Sequence, residues 1–263
     1  PLADGWEYRV VTQRDDGGPR PPWEAVSGYT TIHNAMVAPL AGLRFAGAIW
    51  YQGESNTGRP DEYGVLLEAL IGAWRDMFGE ALPVVVVELP GYGAMPTDPS
   101  AMGWGALREA QRQVALADER TGLAVIIDAG DRTDIHPPNK QLAARRVLDG
   151  MAAMKDTAES PAVTGYSPLR LERDGAEIDV VLPEGDYVLI GSDQVTGLAV
   201  CDADGACEWA SGTLEGDRIR IAAPEGAEAG EVRYCAGDAP VCNLFVAGET
   251  PVTPFVMAWP DAD

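Results

Sequence analysis

Ala48-Ile49-Trp50-Tyr51-Gln52-Gly53-Glu54-Ser55-Asn56 passes within one residue from an apolar run to a cluster of polar groups. A short buried strand that delivers such groups at its carboxyl end is how open α/β sheets assemble their sites. Outward from this stretch, Phe45 to Tyr51 is expected as the first strand. Behind Pro60, the residues Tyr63, Leu66, Leu67, Leu70, Ile71, Trp74 and Met77 keep the i, i+3, i+4, i+7 spacing of an amphipathic helix, with Pro60 suited to its first turn and Gly79 to its end. Pro83 to Leu89 is a continuous apolar run interrupted only by Glu88, the pattern of a strand covered on both faces. A helix from Trp104 to about Asp118, a strand from Leu123 to Asp128 and a helix from Asn139 to Lys155 complete an alternation that predicts βαβ units and a parallel sheet.

Beyond Ser160 the texture changes. Short alternating runs are split by Asp174-Gly175, Glu184-Gly185, Asp204-Gly205 and Glu215-Gly216, which predicts an antiparallel, β-rich, sandwich-like unit. Two domains are therefore expected, 1–157 α/β and 158–263 β-rich, a division that suits 263 residues at about 100 to 200 per domain. The loop-like stretch Asp15 to Pro22 contributes little core and suggests that upstream strands of the α/β domain are absent.

Forty-one acidic against nineteen basic residues give a net charge of -22, which repels nucleic acid and anionic membrane surfaces. No run of about 20 apolar residues offers a bilayer span, and the amino terminus lacks a signal-peptide layout, so a leader is either removed or outside this sequence. Cys201, Cys207, Cys235 and Cys242 do not have the spacing of zinc ligands; free buried thiols and one or two disulfides in an exported protein both stay open. With only His33 and His136 in the chain, a histidine-rich metal site is not expected, and no cofactor is implied.

The three strand ends carry Gln52-Gly53-Glu54-Ser55-Asn56, Pro90-Gly91-Tyr92-Gly93 and Asp128-Ala129-Gly130-Asp131-Arg132-Thr133-Asp134-Ile135-His136. In a parallel sheet they share one rim. His136, flanked by aspartates there, is the candidate general base, with Asp134 the first choice for its orienting carboxylate and Asp131 and Asp128 also near. Each aspartate is equally a turn former or helix cap, and His136 itself suits a cap. Gln52 and Asn56 are candidate oxyanion donors or plain turn residues. Glu54 either positions a catalytic or sugar hydroxyl group or holds neighbouring backbone N–H groups. Gly53-Glu54-Ser55 begins like a G-x-S-x-G elbow, but Thr57 stands at the fifth position and the helix starts too late, which argues against Ser55 as nucleophile.

Ile32 to Leu40, Gly47 to Asn56, Leu107-Arg108-Glu109-Ala110-Gln111, Asp134 to Gln141, Val232-Arg233-Tyr234, Cys242-Asn243-Leu244 and Pro254-Phe255 resemble, in order, the motifs of bacterial sialate O-acetylesterases of the SGNH-hydrolase superfamily. The resemblance runs from about Pro21 and implies a three-layer α/β/α parallel sheet, here incomplete at the amino terminus. It also implies metal-free serine hydrolysis of acetyl esters on sugar hydroxyls, with an acetylated sugar or glycan as the partner. By the same resemblance His136 matches the catalytic histidine, and Gln52, Gly53 and Glu54 match the rim block. The family's serine lies in an upstream G-Q-S-N-M motif followed by a glycine-bearing block, neither of which occurs here. Where the superfamily commonly has its aspartate, three residues before the histidine, this chain has Thr133, which leaves Asp134, Asp131 or a dyad. The chain is thus expected to be the carboxyl-terminal portion of an exported esterase, inactive alone.

Two other functions compete. A glycoside hydrolase would pair Glu54 with Asp131 or Asp134. A non-catalytic sugar-binding module would use Trp209 or Trp259 as stacking platforms.

Overall fold

The computed structural model describes residues 30–156, 160–223 and 230–259. The Asp15 to Pro22 stretch and the expected domain boundary at 157/158 lie outside the described residues. Among the described residues, those from 30 to 44 belong to one unit and those from 45 onward to another. In the first, His33–Val37 and Ala38–Leu40 are short helical turns, and His33 Nδ1 lies 3.3 Å from Asn34 Oδ1.

The second unit begins with a parallel sheet of order β1-β2-β3, formed by Ala48–Trp50, Val84–Val87 and Thr121–Ala124. The central strand β2 is fully buried, as its continuous valine run requires. β1 is shorter than the expected 45–51 and only partly covered, with Ile49 54% exposed, because among the described residues it pairs on one side alone. The third strand begins two residues before the expected Leu123 and gives way to a tight turn at Ile127–Ala129.

Helix α1, Pro60–Phe78, keeps the expected bounds for local reasons. Pro60 occupies the first turn, where its missing N–H costs nothing; Asp61 and Glu62 face the positive end of the helix dipole; and Gly79, at φ 120°, ends the helix while donating to the Arg75 carbonyl. Tyr63, Leu67 and Ile71 form its buried stripe and pack with Val84, Val86, Leu107 and Leu123 on one face of the sheet. Helix α2, Trp104–Leu116, shares that face. Helix α3, Lys140–Asp156, covers the other, with Ala143 and Val147 against Val85, Val87, Ala124 and Ile126.

The remaining strands, β4 (Arg170–Asp174), β5 (Glu177–Val181), β6 (Tyr187–Leu189), β7 (Val195–Asp202), β8 (Cys207–Glu215), β9 (Arg218–Ala222), β10 (Gly230–Tyr234), β11 (Leu244–Val246), β12 (Thr250–Pro251) and β13 (Phe255–Trp259), pair antiparallel. They make a seven-stranded sheet of order β13-β10-β7-β8-β9-β5-β4 and a three-stranded sheet β12-β11-β6. Tyr187, Leu244 and Val246 from the small sheet share one core with Ile178, Leu198, Ile219, Val232 and Phe255 from the large one. The turn signals at Asp174-Gly175, Asp204-Gly205 and Glu215-Gly216 fall between consecutive strands, and each glycine has positive φ. Both cysteine pairs are disulfides, Cys201–Cys207 across β7 and β8 and Cys235–Cys242 around the loop after β10, so the free-thiol alternative does not hold. Trp259 is buried at 3% exposure, which removes it as a stacking platform; Trp209 remains half exposed.

Candidate functional site

The carboxyl ends of β1, β2 and β3 lie on one rim because the strands are parallel and adjacent. At the first, Gly53 takes φ 155° and ψ −19°. It is buried, and a Cβ there would lie 2.7 Å from Leu107 Cδ2 and 3.3 Å from Leu89 Cδ1, so both backbone and space require glycine. The tight turn Glu54–Asn56 follows. Gln52 Nε2 donates to Asn56 Oδ1 at 2.8 Å, which fixes the amide plane while using one of its two N–H groups. The Gly53 N–H donates to Glu54 Oε2 at 3.0 Å, so Glu54 holds the backbone of the block in this geometry. Ser55 is exposed within the turn.

Beneath this block sits Gln111, fully buried on α2. Its Oε1 accepts from the Leu89 N–H at 3.0 Å, and its Nε2 lies within 3.3 to 3.4 Å of the Gln52 carbonyl, the Val87 carbonyl and the Tyr63 hydroxyl. Tyr63 in turn donates to the Gln52 carbonyl at 2.8 Å and accepts from Trp50 Nε1 at 3.2 Å. Burial raises the Tyr63 hydroxyl above its ordinary range, keeping it a donor. One amide thereby ties the first strand end to the second. In the sequence Gln111 stands out only as part of a motif; the signal of its role is a polar residue one turn beyond Leu107 on the apolar face of α2.

The second strand end carries Glu88, completely buried, whose carboxyl is pushed up to about 8 chiefly by burial. Thr253 Oγ1 donates to its Oε1 at 3.2 Å, while Oε2 has no hydrogen-bond partner among the described residues. Arg108, also fully buried, donates to the carbonyls of Cys235, Gly237 and Asp238. Burial lowers it to about 10. That guanidinium pins the disulfide-closed loop 235–242 against the rim. Further bonds dock the same loop, from Tyr92 N–H to the Asp238 carbonyl at 3.2 Å and from Trp104 N–H to Asp238 Oδ1 at 2.8 Å, the latter capping α2. Gly91, Asp128, Gly130 and Arg132 from the rim and Ala239 to Cys242 from the loop enclose a cavity of about 280 Å³.

At the third strand end, Asp128 is held bidentately by Arg146, whose guanidinium also donates to the Val125 and Glu249 carbonyls at 2.9 Å. This occupies Asp128 structurally. Asp131 Oδ1 accepts from the Thr133 N–H and hydroxyl at 2.8 Å and the Asp134 N–H at 3.2 Å, bonds that hold its carboxyl below the usual range. A glycosidase acid needs the opposite shift, so the geometry counts against the Glu54–Asp131 pair. Asp134 Oδ1 accepts from the His136 N–H at 2.8 Å and lies 3.6 Å from His136 Nδ1, beyond hydrogen-bond length. Both side chains are solvent-exposed, at 58% for Asp134 and 87% for His136. Lys140 Nζ, just after His136 in sequence, sits 4.6 Å from the Tyr51 ring centroid and 3.4 Å from its hydroxyl, joining the third strand end to the first. Among the described residues no group of three or more His, Cys, Asp or Glu could hold a metal ion.

Residues 19–136 match the family described as carbohydrate esterase, sialic acid-specific acetylesterase. The chain is similar to these acetylesterases. It is 28% identical to the sialate O-acetylesterase of Rattus norvegicus over 214 residues, covering 72% of this chain and 38% of the rat protein. To the sialate O-acetylesterase of Homo sapiens it is 29% identical over 176 residues, covering 57% of this chain and 32% of the human protein. The crystal structure of a carbohydrate acetylesterase from Xanthomonas citri aligns with a TM-score of 0.73 at 30% identity, over 86% of this chain and 53% of that one. The chain thus spans under two fifths of the rat and human acetylesterases it matches. A parallel sheet flanked by helices and followed by an antiparallel β-rich part agrees with the SGNH-like architecture of this acetylesterase family.

Proposed function

We propose that this chain forms the histidine-bearing part of a carbohydrate O-acetylesterase that hydrolyses acetyl esters on sugar hydroxyls, sialate among them. The observation that carries the reading is the Gln52-Gly53-Glu54 block, clamped by Gln111 and Tyr63 at the strand end of a chain similar to sialate O-acetylesterases. A preorganised donor such as the oriented Gln52 amide suits charge that develops on an ester oxygen, because it needs no rearrangement as the tetrahedral intermediate forms. A serine attacks the acetyl carbonyl, His136 takes its proton, and the same imidazolium protonates the departing sugar oxygen. Water then attacks the acetyl-enzyme with His136 again as base, releasing acetate.

The exposed His136 becomes competent when substrate and the nucleophile's segment cover it, with Asp134 close enough to move into contact by rotation of its ring. Asn56 orients Gln52, and Glu54 holds the turn. We take residues up to 157 as the catalytic domain and 158–263 as its support, and the two disulfides as suited to an exported protein. The test is acetate release from an O-acetylated sugar by the full-length gene product and by its variants Gln52→Ala and Ser55→Ala. Loss with the first and retention with the second supports the reading; loss with Ser55→Ala alone makes Ser55 the nucleophile and overturns it.

A further inference from the structure

A second cavity, about 300 Å³, is also bordered by the disulfide-closed loop, through Cys235 to Gly237, Pro240 and Val241. It shares Pro240 and Val241 as walls with the rim cavity. It is further lined by Met95, Pro96 and Pro99 from the loop after β2 and by Trp209 and Arg233 from the large sheet. Trp209 is 50% exposed, and no other aromatic ring packs on it among the described residues. We propose that this cavity is a subsite for a neutral pyranose ring of an oligosaccharide whose acetylated unit occupies the rim; the proposal rests on the esterase reading above.

A half-exposed indole presents a flat apolar face of the kind that packs against the C–H face of a pyranose, while the ring's hydroxyls stay in water. Charge decides against an anionic sugar here. Among the described residues Arg233 is the one charged residue in the lining, and its guanidinium is taken by Glu231 and by the Ser100 carbonyl at 2.7 Å. With a chain charge of -22 and no free cation in the lining, a carboxylate-bearing unit would meet net repulsion. The walls are already fixed, by the Cys235–Cys242 disulfide, by Arg108 beneath the loop, and by the Cys235 N–H on the Gly197 carbonyl at 2.8 Å. Binding therefore orders little of the protein, which favours affinity from a small contact. Pro240 and Val241 border both cavities, so a ring bound here would lie next to the rim across that loop.

The experiment separates binding from turnover. Unacetylated xylohexaose, cellohexaose and mannohexaose are titrated by calorimetry into wild-type protein and the variants Trp209→Ala and Trp209→Phe, with 3′-sialyllactose as the anionic probe. Binding of at least one neutral hexaose, weakened about tenfold by Trp209→Ala and retained within about threefold by Trp209→Phe, is expected. The corresponding monosaccharide and sialyllactose should bind more weakly than that hexaose. In the full-length gene product, hydrolysis of 4-nitrophenyl acetate, which carries no sugar ring for the subsite, should be unchanged by both substitutions. No binding by any hexaose, or binding indifferent to Trp209→Ala, overturns the subsite, whether or not the esterase reading stands; failure of the full-length gene product to release acetate, with binding intact, overturns only that reading.

Discussion

Gly53→Ala is the sharpest probe of the rim. The new methyl would meet Leu107 Cδ2 at 2.7 Å, closer than Cβ atoms approach, and Leu89 at 3.3 Å, a tight contact, in a backbone conformation that L-residues rarely adopt. Leu107 is fully buried, so its side chain has little room to swing away. Overpacking of this kind costs about 1–3 kcal/mol, and the left-handed backbone about 1–2 kcal/mol more. The single variant should therefore lose about 2–5 kcal/mol in urea unfolding followed by tryptophan fluorescence. Leu107→Ala alone should lose about 2–5 kcal/mol through the cavity it leaves. In the double variant the methyl enters space that Leu107 has vacated, so the clash disappears while the backbone cost stays. The two losses should fall short of additivity by about 1–3 kcal/mol. Additivity within about 0.5 kcal/mol, or a Gly53→Ala variant as stable as wild type, would refute the steric argument.

Gln111→Leu should cost about 2–4 kcal/mol in the same assay, because the buried Leu89 N–H loses its acceptor while the volume is kept; a loss below about 1 kcal/mol would count against the clamp. Asp238→Ala removes the long-range cap of α2 and should cost about 0.5–2 kcal/mol, with Asp238→Asn retaining most of the stability. Glu88 gives a pH signature. Its carboxyl stays protonated in the fold up to about 8, whereas in the unfolded chain it titrates near 4.5. Between those values the unfolded state binds fewer protons, so stability falls as pH rises across the window. Glu88→Gln should flatten that fall in denaturation series from pH 5 to 8, and an unchanged slope would show that Glu88 is ionised in the fold.

The elements that could be read along the chain are those whose causes are local. Helix α1 declared both ends through Pro60 and Gly79, and β2 declared its burial through four consecutive valines. The hairpins of the large sheet followed from glycines that only positive φ explains. β1 came out short because strand length depends on pairing partners, and pairing is invisible in the stretch 45–51 itself. The site divided the same way. Gln52, Gly53 and His136 could be nominated from their places after strands, yet the groups that fix the rim could not. Arg108 meets carbonyls 127 to 130 positions away, and Asp238 caps a helix 134 positions earlier. Such side-chain to main-chain bonds leave no periodicity to detect. Asp128 looked like an orienting carboxylate only until Arg146, one turn into α3 beyond Ala143, was seen to hold it.

The most direct test of the account is acetate release from an O-acetylated sugar, measured by one-dimensional NMR with the full-length gene product and its His136→Ala and Ser55→Ala variants. The account predicts that His136→Ala lowers kcat by about 10²–10⁴ while Ser55→Ala stays within a few-fold of wild type. Acetate release that survives His136→Ala would contradict it.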